Sequence, residues 1–282
     1  MIFNADQIRK VCPDLEVNMF DSLSQWEAWR TKNPGITDYQ NVRHRVRTAA
    51  LAHGIESLWF GHIEQARVVC GAAGVQGPPW IFERHRMLLD IVAAMPGLAN
   101  WKACRIYAAE GSSPWALQMR GRFPRFLGSE YMPGPDGAKR LFPIPHQDLT
   151  KLTLPDAAFD LAVTQEVLEH VSDLAAAVNE LARILRPGGT LLSTFPFLWN
   201  SEKTEIKAHL AGDRVEHVGA PEYHVDPLSE AGALVFQLPA WDILDLCRQA
   251  GFRQAQFLLY STTAGAVVGQ HLGGLWCLVC QR

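Results

Sequence analysis

Long apolar runs, an excess of one charge and disulfide-type cysteine patterns are all missing from this 282-residue chain. No segment approaches the roughly 18 consecutive apolar residues needed to cross a bilayer, and the first residues lack the basic-then-apolar order of a secretion signal. A cytoplasmic protein with no membrane association is expected. The formal net charge of only -3 gives no long-range attraction to nucleic acid, so a polynucleotide substrate is not expected. The densest basic cluster, Arg43 to Arg47, reads as a solvated helix face. Six cysteines, at 12, 70, 104, 247, 277 and 280, lie in a chain too large to need disulfide staples, and reduced thiols are expected. Cys277 and Cys280 form a Cys-x-x-Cys within an apolar run of strand character, where positions three apart face opposite ways. With no second cysteine pair, no metal site is expected. Repeats and low-complexity tracts are lacking too.

What the chain does have is an apolar fraction of 48%, enough for an ordinary core, and from Ala103 a regular alternation of strand and helix patterns. Strands are predicted at Arg105 to Ala109, Arg125 to Ser129, ending near Gln147, at Phe159 to Thr164, at Thr190 to about Phe195, around Gln256 to Tyr260 and at Leu275 to Val279. Helices are predicted at Pro114 to Arg120 and Ala240 to Ala250. A further helix is predicted after Ser172 as cap, with Leu174, Val178, Leu181, Ala182 and Leu185 forming one apolar stripe and Pro187, Gly188 and Gly189 ending it. Residues 197–238 read as an irregular insertion. The first hundred residues read as a helical extension or cap, with helices near Asp21 to Lys32, Asn41 to Ala52 and Phe82 to Ala94, broken at Asn33-Pro34-Gly35 and Gly77-Pro78-Pro79. Trp26, Trp29, Trp59, Phe60 and Trp80 there serve either core packing or an aromatic lid over an acceptor. Domains are therefore expected at 1–100 and 101–282, and the order of elements predicts an α/β fold, a seven-stranded mostly parallel sheet with helices on both faces. In such sheets ligands bind at the carboxyl ends of the strands.

An acidic residue after one strand, Leu-Glu-His after the next and Arg-Pro-Gly-Gly before a third follow one another between Phe142 and Phe197. Together they resemble the core of class I S-adenosylmethionine-dependent methyltransferases, from about Arg105 to Arg282, and the resemblance implies a Rossmann-like fold. It implies S-adenosylmethionine as cofactor. Glu130 in Gly-Ser-Glu-Tyr matches the carboxylate that accepts from the ribose hydroxyls, with Tyr131 beside the adenine; Asp148 matches the acceptor of the adenine amino group, with Leu149 as an apolar contact. Glu110 and Gly111 match the first loop, and Gln165 at the end of the fourth strand completes the set. This loop, Ala-Glu-Gly-Ser-Ser-Pro, is poor in glycine: Ser112 and Ser113 stand where glycines are usual, and their hydroxyls offer bonds to the ligand. The loop, the Gly-Ser-Glu-Tyr and the Glu-Tyr-His with Asp-Pro beyond the fifth strand look like a divergent subgroup linked to glycan and secondary-metabolite gene sets.

Methyl transfer is an in-line displacement for which alignment suffices and no metal is required; an oxygen acceptor gains from a base. His170 in Leu-Glu-His and His224 in Pro-Glu-Tyr-His-Val-Asp-Pro are the candidate bases, each with a structural hydrogen bond as its plain alternative, and Tyr223 and Asp226 are the neighbours of the second. His217 is a weaker third and Glu169 reads as loop support. The expected function is methyl transfer to a small-molecule or glycan-type acceptor, at oxygen, in biosynthesis. A non-methylating use of the cofactor, such as cyclisation or decarboxylation, and a scaffold without catalysis are the alternatives. Oligomeric state stays open, a homodimer being one option.

Overall fold

A computed structural model of the chain describes residues 2–71, 74–77, 81–134, 136–212, 214–226, 228–269 and 271–282. Pro78, Pro79, Trp80 and Pro227 lie outside the described residues. Seven strands make one sheet: β1 (Glu16–Phe20), β2 (Arg105–Ala108), β3 (Arg125–Gly128), β4 (Phe159–Gln165), β5 (Leu185–Thr194), β6 (Gln254–Ser261) and β7 (Leu275–Gln281). Their order is β1-β6-β7-β5-β4-β2-β3. The ladders β3/β2, β2/β4 and β4/β5, on one side of the sheet, are parallel, while β7 joins β5 and β1 joins β6 antiparallel. This is a Rossmann-like α/β fold whose parallel strands β5, β4, β2 and β3 form one side of the sheet. The strand order reverses between β2 and β4, which makes the crevice between their carboxyl ends the natural ligand position.

The strand content differs from the sequence expectation in two places. The strand expected to end near Gln147 is reduced to one parallel bridge between Glu130 and His146. Pro143 and Pro145 stand in that segment without amide donors, so no ladder can extend along it. The seventh strand is instead β1, from the N-terminal hundred residues, where no strand was expected; it pairs from Glu16 with Ser261 to Phe20 with Phe257.

β4 is buried along nearly its whole length, as a strand covered on both faces requires. The helix that follows, Leu174–Ile184, buries Leu174, Ala177, Val178, Leu181, Ala182 and Ile184 in one stripe, as its spacing predicts. Its cap is Asp173 rather than Ser172: the Asp173 carboxylate accepts from the Ala176 amide at 2.9 Å. The helix also ends before Arg-Pro-Gly-Gly, because Leu185 is already extended (φ -77°, ψ 137°). Arg186 to Gly189, in the first half of β5, bulge out, and the β4/β5 register slips there, with Phe159 opposite Leu185 but Leu161 opposite Thr190. Residues 197–238 are not irregular. They form the short ladders Glu205–Ile206 with Gln237–Leu238, Ala208–Ala211 with Arg214–His217, and Tyr223–Asp226 with Ser229–Leu234.

The chain divides into two compact units, one of Met1–Phe20, Ser24–Lys102 and Phe257–Cys277, the other of Asp21–Leu23, Ala103–Gln256 and Leu278–Arg282. Within the first, helices Leu23–Lys32, Tyr39–His53 and Glu83–Ala93 match expectation. Trp26 is fully buried, stacked on Trp29 at 5.6 Å and edge-on to Trp276 at 5.0 Å, so its aromatic mass is core packing. Among the described residues no helix is long and apolar enough to cross a membrane. All six cysteines are free thiols.

Candidate active site

The loop after β2 is held by close backbone contact. A Cβ on Gly128, the last residue of β3, would lie 2.7 Å from the Glu110 carbonyl oxygen and 2.8 Å from the Gly111 Cα, so only glycine allows loop and strand end to meet. Ser113 caps the helix Pro114–Arg122, its hydroxyl accepting from the Ala116 amide at 3.1 Å, with Pro114 in the first turn. Glu130 closes the arrangement. One carboxylate oxygen, Oε1, accepts from the Gly111 amide at 2.9 Å, the Ser112 amide at 3.0 Å and the Ser112 hydroxyl at 2.6 Å. The two serines that replace glycines thus have local partners, one in the cap and one on Glu130, and Oε2 is left for a further donor.

The remaining residues expected at the cofactor lie at the same carboxyl edge. Asp148 Oδ1 accepts from both the amide and the hydroxyl of Thr150, each at 2.8 Å, and Leu149 beside it is buried. Tyr131 is about half exposed, its ring 5.4 Å from that of His146. Its phenol is pushed up in pKa by partial burial and by the charge of Asp148. Across the crevice, Gln165 Nε2 donates to Glu110 Oε2 at 2.6 Å. The other end of that amide, Oε1, is buried with no donor, as is Thr194 Oγ1, on the residue paired with Gln165 in the β4/β5 ladder. A buried acceptor without a donor is unfavourable, and its presence at the reversal point marks a place where a ligand donor fits. A cavity of about 650 Å³ lined by Ser172, Asp173, Thr204, His209 and Asp242 contains none of these residues.

The loop after β4 carries the second constellation. It is pinned by the insertion: the Phe236 amide donates to the Glu169 carbonyl at 2.8 Å, and Gln237 Nε2 donates to the carbonyls of Leu168 and Val171 at 2.6 and 2.9 Å. Glu169 is completely buried, and neither carboxylate oxygen makes a hydrogen bond. Its Oε1 lies 3.5 Å from His170 Nε2 and 3.6 Å from His224 Nδ1, and the two imidazole rings meet edge to face at 5.1 Å. His170 Nδ1 is 2.8 Å from the Leu234 carbonyl, and His224 Nε2 is 3.5 Å from Glu222 Oε1. Burial pushes the Glu169 carboxyl up to about 7, offset in part by His224; burial likewise lowers His170, while the neighbouring Glu169 raises His224.

The structure therefore brings His170 and His224 into one group and adds Glu169, which the sequence reading took for loop support, and Glu222, which it passed over. Tyr223 stays outside. It is about half exposed, and side-chain alternation in Tyr223–Asp226 turns it to the face opposite His224. Asp226 accepts from the Leu228 amide at 2.8 Å, a turn contact, and His217 is exposed on its own ladder.

With this geometry in place, residues 126–193 match the family model described as a methyltransferase domain. This stretch is similar to that family. The matched segment runs from β3 to β5 and includes Glu130, Asp148, Gln165, Glu169 and His170. A probable S-adenosylmethionine-dependent methyltransferase of Mycolicibacterium smegmatis is 47% identical over 53 residues, 19% of this chain and 21% of that protein. A malonyl-[acyl-carrier protein] O-methyltransferase of Serratia marcescens is 34% identical over 86 residues, 29% of this chain and 34% of that protein. The chain thus spans about a fifth to a third of the length of these relatives. Among solved structures, an S-adenosylmethionine-dependent methyltransferase from Mesorhizobium loti aligns with 64% of this chain and 92% of its own, at 15% identity and a TM-score of 0.41.

Proposed function

We propose that the protein transfers a methyl group from S-adenosylmethionine to a small-molecule or glycan-type acceptor, at oxygen, in a cytoplasmic biosynthetic pathway, and that residues 101–282 form the methyltransferase domain. The observation that carries this reading is the polar set at the reversal point, Glu130 beside Gly111 and Ser112 and Gln165 beside Glu110, within and next to a methyltransferase-domain segment. These residues fit the cofactor. Glu130 Oε2 would accept from the ribose hydroxyls and Asp148 from the adenine amino group, with Tyr131 and Leu149 as apolar contacts; the donor-less Gln165 Oε1 would accept from the amino-acid ammonium. When bound, the cofactor supplies an electrophilic methyl on a sulfonium, and the protein contributes alignment and exclusion of water. His170 and His224 are the candidates at the acceptor end, acting with Glu169 as one unit; Tyr223, also expected there, faces away from them.

The test is calorimetric titration of the purified chain with S-adenosylhomocysteine, followed by mass spectrometry of acceptor libraries incubated with S-adenosylmethionine. Binding, with products heavier by one methyl, is the expected result. No binding at millimolar ligand would overturn the reading in favour of a scaffold, and cofactor consumption without methylated product would replace it by a non-methylating reaction.

A further inference from the structure

Among the described residues, Glu169, His170 and His224 form a group whose ligand-type atoms all lie within 4.8 Å of one another. Hydrogen bonding settles one tautomer. The Leu234 carbonyl can only accept, so His170 Nδ1 carries the proton that it donates there, and in the neutral ring Nε2 is a lone pair. That lone pair faces Glu169 Oε1, itself an acceptor, at 3.5 Å, and His224 Nδ1 faces the same oxygen at 3.6 Å. Both separations are too long for hydrogen bonds, for which about 2.7 to 3.2 Å is usual. They match a shared ion: two ligand atoms each about 2.0 to 2.2 Å from a tetrahedral centre lie roughly 3.4 Å apart. Glu169 adds an independent reason, since a carboxylate that is 0% exposed and whose oxygens make no hydrogen bond calls for a positive charge between it and its neighbours. The contact from His170 Nδ1 to a carbonyl, and the Glu222 carboxylate at 3.5 Å behind His224, are the outer contacts that orient metal-bound imidazoles.

We propose that Glu169, His170 and His224 bind one divalent transition-metal ion of the zinc type, through Glu169 Oε1, His170 Nε2 and His224 Nδ1. Two imidazoles and one carboxylate make a three-ligand site, which leaves a coordination position open to water or a ligand oxygen. The site stands apart from the methyl-transfer reading, because its occupancy is measured with neither cofactor nor acceptor present.

The experiment uses the full chain, freed of metal by a chelator and titrated with Co²⁺, whose visible absorption reports low-coordinate nitrogen and oxygen ligation, and then with Zn²⁺ in competition. One ion per chain is expected, with Zn²⁺ displacing Co²⁺. His224→Ala should weaken binding at least about 100-fold, more than the loss of an outer contact. Glu169→Gln should do the same, whereas His62→Ala, at the exposed His62–Glu56 pair in the other unit, should leave binding unchanged. Because His170 also secures Leu234, His170→Ala is read only with a circular dichroism spectrum that matches wild type; His224, less tied into the backbone, decides otherwise. Absence of a Co²⁺ spectrum at millimolar metal, or undiminished affinity in His224→Ala, overturns the proposal.

Discussion

Glu130 does two jobs with its two oxygens, and a pair of variants can separate them. Oε1 holds the first loop through three donors, and Oε2 is the oxygen offered to a ribose. Glu130→Ala removes both and should weaken S-adenosylhomocysteine binding by about 1.5 to 3 kcal/mol, the usual loss for hydrogen bonds to a charged group. Ser112→Ala keeps both amide donors on Oε1 and should cost only about 0.5 to 1.5 kcal/mol. Calorimetry on both variants checks this; wild-type affinity in Glu130→Ala would leave Glu130 as a loop clamp alone. The places of Glu130 and Gln165 at the ends of β3 and β4 were legible because both strands are readable, whereas Asp148 follows a segment that forms only one bridge. The partners of Glu130 were not, since its contact with Ser112 depends on two glycines, Gly111 and Gly128, meeting across strands. The Glu169, His170 and His224 group was hidden for a similar reason: a hairpin far along the chain carries the third member to the first two.

Elements with one strong periodicity were read correctly, and those governed by competing local rules were shifted. The helix Leu174–Ile184 is the clear case, its stripe visible in the sequence and its start misplaced by one residue because Ser172 and Asp173 are both good caps. The strand expected near Gln147 failed on Pro143 and Pro145, and the insertion was taken as irregular because its ladders are too short to show alternation. Two variants test the element-level account. Asp173→Ala should destabilise the protein by about 1 kcal/mol in urea unfolding, while Ser172→Ala should have little effect; the reverse order would return the cap to Ser172. Gly128→Ala forces a Cβ to within 2.7 Å of the Glu110 carbonyl oxygen, and should cost about 1 to 3 kcal/mol of stability while also weakening cofactor binding.

At the scale of the whole molecule, the alternation of strands and helices after Ala103 revealed the sheet, but nothing in the sequence tied residues 257–277 to the N-terminal hundred. That unit is joined by polar contacts between distant segments. Thr262 and Thr263 donate to Asp14 at 2.7 and 2.6 Å, and the fully buried Arg86 donates to the carbonyls of Val75, Ile81, Gly265 and Ala266. One helical turn from Arg86, Asp90 is 2% exposed and accepts from the Ser57 hydroxyl at 2.6 Å and the Trp59 amide at 2.9 Å. Burial outweighs these bonds and the nearby Arg86, raising its pKa from 3.8 to about 6. An acid whose folded pKa lies above its unfolded value binds its proton more tightly in the folded state. Its stabilising contribution is complete below the unfolded pKa and is lost as pH rises through the folded one, here between about 4 and 6, and amounts to about 3 kcal/mol. Asp90→Asn cannot titrate, so its unfolding free energy should gain on that of wild type by about this amount between pH 4 and pH 7 and hold steady above. Urea unfolding of both proteins across that range measures the difference directly. A difference that stays flat with pH would mean that Asp90 is already ionised throughout, held by Ser57, Trp59 and Arg86 against the cost of burial.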